Sequence, residues 1–188
     1  MTRIIAGLAR GRRLSVPTRG TRPTSDRVRE AMFNAVSARM ELTGARVLDL
    51  YAGSGALGLE ALSRGAGEVL LVESDARAAA VAKANAASIG LPGATVRCAS
   101  VTSVVAGPST TAFDLVLADP PYALDDDAVS RVLNAVVAGG WVREGSLVVV
   151  ERSARGAETT WPPELECDVV RRYGEASVEI ATCYRRRP

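Results

Sequence analysis

Two acidic residues, Asp49 and Asp119, stand at the ends of apolar stretches, and each leads into a turn of restricted backbone. A glycine-rich turn follows Asp49, and two prolines follow Asp119. A carboxylate fixed beside a rigid turn can attract a cation or accept hydrogen bonds from the N–H groups of a ligand. The two motifs together predict a site that binds a small molecule and performs chemistry on it.

The glycine-rich turn joins a predicted strand to a predicted helix, and its glycines have the spacing of a dinucleotide-binding fingerprint. It reads Asp49-Leu50-Tyr51-Ala52-Gly53-Ser54-Gly55-Ala56-Leu57-Gly58. Glycines let the backbone approach a ligand closely, and the last one lets the helix pack tightly on the strand. Glu73 ends the next predicted strand, where a carboxylate can accept both hydroxyls of an adenosine ribose. These residues alone allow NAD as the ligand.

The charge of Asp49 favours a different ligand. An acidic residue just before the turn would repel a pyrophosphate, whereas it would attract the cationic ammonium group of S-adenosylmethionine (AdoMet). The sequence therefore favours AdoMet over NAD. The purely structural alternative is that Asp49 and the glycines only shape a turn, with Glu73 an acidic residue at a strand end.

The second motif follows the apolar stretch 113–118 and reads Asp119-Pro120-Pro121-Tyr122. The prolines fix the backbone, so that the Asp119 carboxylate and the Pro120 carbonyl become two fixed acceptors. Hydrogen bonds to both N–H groups of an exocyclic amine favour a pyramidal nitrogen, whose lone pair can then point at a methyl donor. Tyr122 offers a face on which a base can stack, which is worth ~1–3 kcal/mol. We expect Asp119, Pro120, Pro121 and Tyr122 to be catalytic; the alternative is a structural proline turn over a buried tyrosine.

The composition excludes several other kinds of site. The chain has no histidine, which rules out Ser-His-Asp triads, Cys-His pairs and histidine metal sites. The three cysteines, Cys98, Cys167 and Cys183, are odd in number and far apart, so we expect no disulfide framework, no zinc site and a reducing cytoplasm. No apolar run approaches the roughly 20 residues of a membrane span. We therefore expect neither a metal nor a membrane partner.

Positive charge is concentrated at the amino-terminal end. Residues 1–40 hold nine arginines and two acidic residues, a net charge of +7, and the remainder carries −5. The planar guanidinium fork suits phosphate oxygens, and such clustering is typical of a nucleic-acid partner. A purely structural role for this segment is the alternative. The predicted RNA-binding residues are Arg3, Arg10, Arg12, Arg13, Arg19, Arg22, Arg27 and Arg29.

The order of predicted elements indicates an α/β fold. Two short strands at 3–8 and 12–16 form a small hairpin, and a helix runs from Ser25 or Asp26 to about Met40. From residue 45 strands alternate with helices, which predicts a Rossmann-like, mainly parallel sheet flanked by helices, and an antiparallel hairpin closes the sheet at the carboxyl-terminal end. Ligands of such sheets bind beyond the carboxyl ends of the strands, where both motifs lie.

Both motifs resemble those of class I AdoMet-dependent amino-methyltransferases. Three segments nearer the amino terminus make the resemblance more specific, since they resemble the bacterial 16S rRNA guanine-N2 methyltransferases of the RsmD type. These segments are Arg3-Ile4-Ile5-Ala6-Gly7, Arg10-Gly11-Arg12-Arg13-Leu14 and Arg22-Pro23-Thr24-Ser25-Asp26-Arg27-Val28-Arg29-Glu30-Ala31-Met32-Phe33-Asn34. The resemblance covers nearly the whole chain, from residue 3 to residue 184.

The resemblance implies a basic arm over residues 1–20 and an AdoMet-dependent methyltransferase domain over residues 21–188. It implies methyl transfer to the exocyclic N2 of one guanine in 16S rRNA, on free RNA or on the assembling small ribosomal subunit, by a monomer. The residues implied to bind the cofactor are Thr24, Asp49, Tyr51, Ala52, Gly53, Ser54, Gly55, Gly58, Glu73, Ser74, Ser100 and Val101.

The sequence departs from the family's pattern at Ser100 and Val101, where such enzymes commonly carry Asp or Asn for the adenine amine. Other acceptors stay open, namely adenine N6 in RNA or DNA and a protein glutamine amide; those relatives usually have Asn where this chain has Asp119. An oxidoreductase and a non-catalytic RNA-binding module are alternatives of another kind. Asp49 and the lack of histidine argue against the first, and the intact turn at 119–122 argues against the second.

Overall fold

The structure is a computed structural model that describes residues 2–17, 25–121 and 123–184. Its strands are β1 (Thr2–Arg3), β2 (Arg13–Leu14), β3 (Arg46–Leu50), β4 (Glu68–Glu73), β5 (Ala94–Cys98), β6 (Phe113–Ala118), β7 (Val142–Ser153), β8 (Leu165–Tyr173) and β9 (Ala176–Cys183). Its helices are α1 (Asp26–Ser37), α2 (Ala56–Ser63), α3 (Ala76–Ile89), α4 (Val101–Val105) and α5 (Asp126–Ala138).

Seven strands form one sheet in the order β5-β4-β3-β6-β7-β9-β8. Strands β3 to β7 are parallel, and β9 pairs antiparallel with β7 on one side and β8 on the other. This confirms the predicted mainly parallel sheet with an antiparallel hairpin at its carboxyl-terminal end. The chain runs outward from β3 to β5 and then returns to the other side of β3, so strand order reverses between β3 and β6. Such a reversal opens a ligand crevice at the carboxyl ends of these two strands.

Side chains of the sheet alternate between two apolar layers. In β3, Val47 lies in one buried cluster, and Leu48 and Leu50 lie in the other. The first cluster includes residues of the amino-terminal hairpin, α1 and α2, and the second includes residues of α4 and α5. Cover on both faces explains why the central strands β3, β4 and β6 are mostly apolar, whereas the edge strand β5 has no fully buried residue.

Polar side chains fix where the helices begin. Ser25 accepts a hydrogen bond from the backbone N–H of Val28 at 3.2 Å, and the Asp75 carboxylate accepts from two backbone N–H groups of α3 at 2.8 Å. Asp125 accepts from one backbone N–H, that of Ala128, at the start of α5. Helix α1 ends at Ser37, three residues before the predicted end at Met40. No helix in the described parts of the chain has the length and apolar character needed to cross a membrane.

The strands of the amino-terminal hairpin are shorter than the sequence predicts, and the hairpin is attached more firmly to the rest of the protein. Each strand has two residues, because the backbone N–H groups of Ile5 and Ala6 donate to the side chain of α2 residue Glu60 and not to a partner strand. Ile4 and Leu14 are buried in the core shared with α2. The hairpin therefore packs as part of the body of the protein.

Candidate active site

The glycine-rich turn lies at the carboxyl end of β3, beside the reversal of strand order. Tyr51, Gly53 and Gly55 all have positive φ (63°, 55° and 82°), a conformation that a tyrosine rarely adopts. The Ala52 N–H donates to the Val72 carbonyl at 2.9 Å, which ties the turn to β4. A strained non-glycine residue at such a position is typical of functional turns.

Gly58 allows α2 to lie directly against β3 and β4. A Cβ at this position would lie 2.6 Å from a Leu71 methyl and 3.0 Å from Asp49 Oδ2, so no larger residue fits without movement. The Gly58 N–H donates to Asp49 Oδ2 at 2.8 Å. The glycine thus fixes both the helix and the acidic side chain.

Asp49 is an acidic group with unused hydrogen-bonding capacity. Its side chain is 1% exposed, and Oδ1 has no hydrogen-bond partner within the described part of the chain. Burial, with smaller contributions from the nearby charges of Asp119 and Glu73, raises the pKa of Asp49 to about 8 against the opposing effect of the Gly58 N–H. A buried acceptor without a partner favours a cation or an N–H donor. The ammonium group of AdoMet meets both requirements.

Glu73 braces the turn from the end of β4. Its Oε2 accepts from the Gly53 N–H at 2.8 Å, and its Oε1 accepts from the Asp75 N–H at 2.8 Å. The Ser74 hydroxyl lies 3.5 Å from the same Oε1. A carboxylate has about four acceptor positions, so these three contacts leave about one free for a ribose hydroxyl, and a second hydroxyl could replace the long Ser74 contact.

Ser100 and Val101 begin α4, just beyond the end of β5. The Ser100 hydroxyl accepts from the Ser103 N–H at 3.2 Å and so caps the helix, while Val101 is buried. The fold therefore brings most of the predicted cofactor residues to the carboxyl ends of three neighbouring strands. They are Asp49, Tyr51, Ala52, Gly53, Ser54, Gly55, Gly58, Glu73, Ser74, Ser100 and Val101. Thr24 lies outside the described residues.

The second motif lies next to the first. The Asp119 N–H donates to the Leu50 carbonyl at 3.5 Å, so the turn after β6 borders the turn after β3. Asp119 is half-buried and Pro120 is buried, while the Pro121 carbonyl accepts from the Leu124 N–H at 2.8 Å and closes the turn. The acidic groups of the two motifs are close enough for one to shift the pKa of the other. Tyr122 lies outside the described residues.

Five of the eight predicted RNA-binding arginines are exposed, one is buried, and Arg19 and Arg22 lie outside the described residues. The prediction for Arg29 is wrong, because its side chain is completely buried and faces the interior. Its guanidinium pairs with Asp26 at 2.9 Å and with Glu60 at 3.7 Å. Burial lowers the pKa of Arg29, and these two acidic groups oppose that shift. The exposed residues are Arg3, Arg10, Arg12, Arg13 and Arg27.

Asn85 is a positioning residue that the sequence analysis missed. It is buried on α3, and its Nδ2 donates to the Ser54 carbonyl at 2.8 Å and to the Ser15 carbonyl at 2.9 Å. Its Oδ1 accepts from the Ser15 N–H at 2.9 Å. One amide thus joins the glycine-rich turn to the segment that leaves the hairpin. A sequence signal existed, since Asn85 continues the apolar stripe of Ala78 and Ala82.

Two further missed residues, Glu60 and Ser63, attach the hairpin to α2. Glu60 is completely buried and accepts from the N–H groups of Ile5 at 2.8 Å and Ala6 at 3.0 Å. The Ser63 hydroxyl donates to the Ala6 carbonyl at 2.6 Å. Because α2 begins at the glycine-rich turn, the helix links the hairpin to the predicted cofactor site.

The described ranges contain no group of three or more Cys, Asp or Glu side chains arranged to hold a metal ion. All three cysteines are free thiols.

One protein-family model matches this chain along nearly its whole length. The family model for Conserved hypothetical protein 95 matches residues 2–182. The chain belongs to this family. A relative named Ribosomal RNA small subunit methyltransferase D, from Escherichia coli K12, is 37% identical over 161 residues, which cover 85% of this chain and 79% of the relative. A protein of the same name from Haemophilus influenzae is 35% identical over 160 residues, covering 79% and 77%. The resemblance to RsmD-type methyltransferases is thereby confirmed.

Solved structures agree with the fold. The Escherichia coli protein yhhF superposes with a TM-score of 0.87 at 32% identity, covering 97% of each chain. The ribosomal protein L11 methylase from Lactobacillus delbrueckii superposes with a TM-score of 0.66 at 18% identity, covering 86% of this chain and 81% of that one. This second likeness shows that family members share a class of fold with a more distant methylase.

Proposed function

We propose that this chain transfers a methyl group from AdoMet to the exocyclic N2 of a guanine in 16S rRNA. One observation carries the proposal: the turn at Asp119 borders the glycine-rich turn, whose buried Asp49 has an oxygen without a partner among the described residues. One turn suits a cationic donor and the other suits an amine acceptor. The relatives named Ribosomal RNA small subunit methyltransferase D support ribosomal RNA as the substrate.

The residues at the ends of β3 and β4 fit AdoMet. Asp49 would accept from its ammonium group, Glu73 would accept from its ribose hydroxyls, and the backbone of the turn would line the methionine end. The bound cofactor supplies an electrophilic methyl group on a positively charged sulfur. Glu73 and Asn85 hold the turn in position through their backbone contacts, so little rearrangement is needed when a ligand enters.

Asp119 and Pro120 act on the acceptor. The Asp119 carboxylate and the Pro120 carbonyl would each accept one N–H of the guanine amine, orienting its lone pair toward the methyl group. As the C–N bond forms, the S–C bond breaks, and the amine loses one proton to solvent. The carboxylate stabilises the positive charge that develops on nitrogen, which is a contribution realised in the transition state.

The proposal is tested by identifying the nucleoside that gains the methyl group. We would incubate the protein and labelled AdoMet with 16S rRNA and with small ribosomal subunits, both lacking the modification, and identify the product nucleoside by mass spectrometry. N2-methylguanosine is expected. Methyladenosine, or no methylated nucleoside from either substrate, would overturn the assignment.

A glutamine amide is the second candidate acceptor. A relative named Release factor glutamine methyltransferase, from Bordetella pertussis, is 40% identical over 84 residues, which cover 44% of this chain and 30% of that relative. An amide NH₂ resembles a guanine amine in presenting two N–H groups on a planar nitrogen. Transfer of label to a release factor, with none to RNA, would establish this alternative.

A further inference from the structure

We propose that Leu8, at the tip of the amino-terminal hairpin, is an apolar contact for an unstacked base of the RNA substrate, at the opposite edge of the sheet from the base to be methylated. This inference rests on the proposed function. Leu8 is 80% exposed, and it is the most exposed of the large apolar side chains in the described ranges. A single exposed leucine is ordinary on a protein surface, but Leu8 differs in its rigid backbone and its basic surroundings.

The tip is rigid. The Leu8 N–H donates to the Ser63 carbonyl at 2.7 Å, and the Ala9 N–H donates to the Ser63 hydroxyl at 2.9 Å. Gly7 has a φ of +81°, and a Cβ there would lie 1.8 Å from the Ser63 carbonyl oxygen. Ala9 is buried on the other side. Contacts on both sides fix the backbone of Leu8 with its side chain outward, so little conformational entropy is lost when a partner binds it.

The surface around Leu8 is basic. Residues 2–17 contain four arginines, all exposed, and no acidic residue. Arg3 and Arg13 are directly opposite each other across the two strands, where like charges repel, and an acidic residue of α1 offsets part of this repulsion. Arg3 also pairs with Asp26 at 3.5 Å. A phosphate backbone complements such a surface, and apolar side chains in basic surroundings are known to insert between bases.

Helix α2 places the tip at the opposite edge of the sheet from the active site. It begins after Gly55 in the glycine-rich turn, at the carboxyl end of β3, and ends at Ser63, which holds Leu8. Just beyond the helix, the Gly65 carbonyl accepts from the N–H of Gly44, which precedes β3. The eight helical residues span ~12 Å, so the tip lies at least that far from the turn. Leu8 would hold a part of the RNA that is separate from the base to be methylated.

Binding measurements test this contact. We would measure Kd by filter binding at several salt concentrations, for protein-free 16S rRNA and for small subunits, with wild type, Leu8→Ala and Leu8→Phe. Leu8→Ala should weaken binding to both by about tenfold, with an unchanged salt slope because no charge is lost. Leu8→Phe should restore binding. Val170→Ala, at an apolar side chain on β8 that is 43% exposed, is the matched control and should behave as wild type.

Three results would overturn the proposal: an unchanged Kd for Leu8→Ala, a loss on subunits but not on protein-free rRNA, or a loss equalled by Val170→Ala. The second result would assign the contact to a ribosomal protein. Failure of the proposed function has a different signature, because it is read from the nucleoside product of the wild type. Binding that depends on Leu8 without any methylguanosine would support the contact and overturn the activity.

Discussion

Asp49 combines two properties that are unfavourable together: it is buried, and one of its oxygens has no partner among the described residues. The pKa of about 8 follows from this environment, because burial disfavours the charged form. A carboxyl group that is neutral near pH 7 in the free protein can become a carboxylate when a cation enters. Asp49 is therefore prepared for a positively charged ligand at a cost in stability.

That cost is measurable in the protein without ligand. The Asp49 pKa is about 8 in the folded state and ~3.9 in the unfolded chain, so between these values the folded state binds more protons and stability falls as pH rises. Asp49→Asn keeps an acceptor for the Gly58 N–H and cannot ionise. Urea unfolding at pH 6 and pH 8 should show Asn gaining about 2 kcal/mol relative to wild type over this interval. Parallel pH curves for the two proteins would refute the raised pKa, and Asp127→Asn, at an exposed position, should follow wild type.

Substitutions of Asp119 test the proposed chemistry most directly. Asp119→Ala should lower kcat on the confirmed RNA substrate by about 10²–10³-fold, as expected for a preorganised polar contact. Asp119→Asn keeps one acceptor oxygen but no charge, and it should be clearly slower than wild type. Calorimetry should find AdoMet affinity nearly unchanged in both. Asp127→Asn serves as the control with wild-type rates; wild-type kcat in Asp119→Ala would remove this turn from the active site.

At the scale of the elements, α3 connects the hairpin to the glycine-rich turn through one buried amide. Asn85→Ala should leave the Ser54 and Ser15 backbone groups without these hydrogen bonds and weaken the binding of S-adenosylhomocysteine by about tenfold, since such a loss costs ~1–3 kcal/mol. Isothermal titration calorimetry gives the Kd, and thermal unfolding gives the Tm. Lys83→Ala, on the exposed side of α3, is the matched control.

Comparing the effects of Asn85→Ala on Kd and on Tm distinguishes the possible roles of Asn85. A residue that only supports α3 would lower Tm and leave the Kd of folded protein unchanged. A residue that positions the turn changes Kd at temperatures where the variant is fully folded. A normal Kd in Asn85→Ala would therefore limit Asn85 to stability.

The elements also show where sequence reasoning succeeds and where it ends. Asp49, Glu73 and Asp119 were placed together because each ends an apolar run, and parallel strands bring their carboxyl ends to one edge. The sequence analysis gives no bounds for α4, whose valines and threonine favour strands; the helix forms through the Ser100 cap and the burial of its valines. The burial of Arg29 and the hairpin contacts of Glu60 depend on tertiary packing, which no local pattern reveals.

At the scale of the whole molecule, the charge of the hairpin should govern RNA affinity. Arg10, Arg12 and Arg13 are exposed, and replacing all three with Gln removes charge without disturbing the buried residues of the hairpin. If each contacts one phosphate of single-stranded RNA, the log–log salt slope of binding should fall by about 2. S-adenosylhomocysteine affinity should be retained. An unchanged slope would show that the hairpin has only a structural role. Arg171→Gln, at an exposed position on β8, controls for general loss of charge.

The position of β9 constrains the order in which the sheet can be completed. Strand β8 precedes β9 in the chain, yet β9 lies between β7 and β8 and supplies the strand pairing of β8. During synthesis β8 therefore emerges before its partner exists, and its backbone polar groups stay unpaired until β9 inserts. Folding cannot proceed by adding strands in the order in which they are made. An incomplete chain that ends before Ala176 would expose the edge of β7 as well, and such unpaired edges promote aggregation of nascent protein.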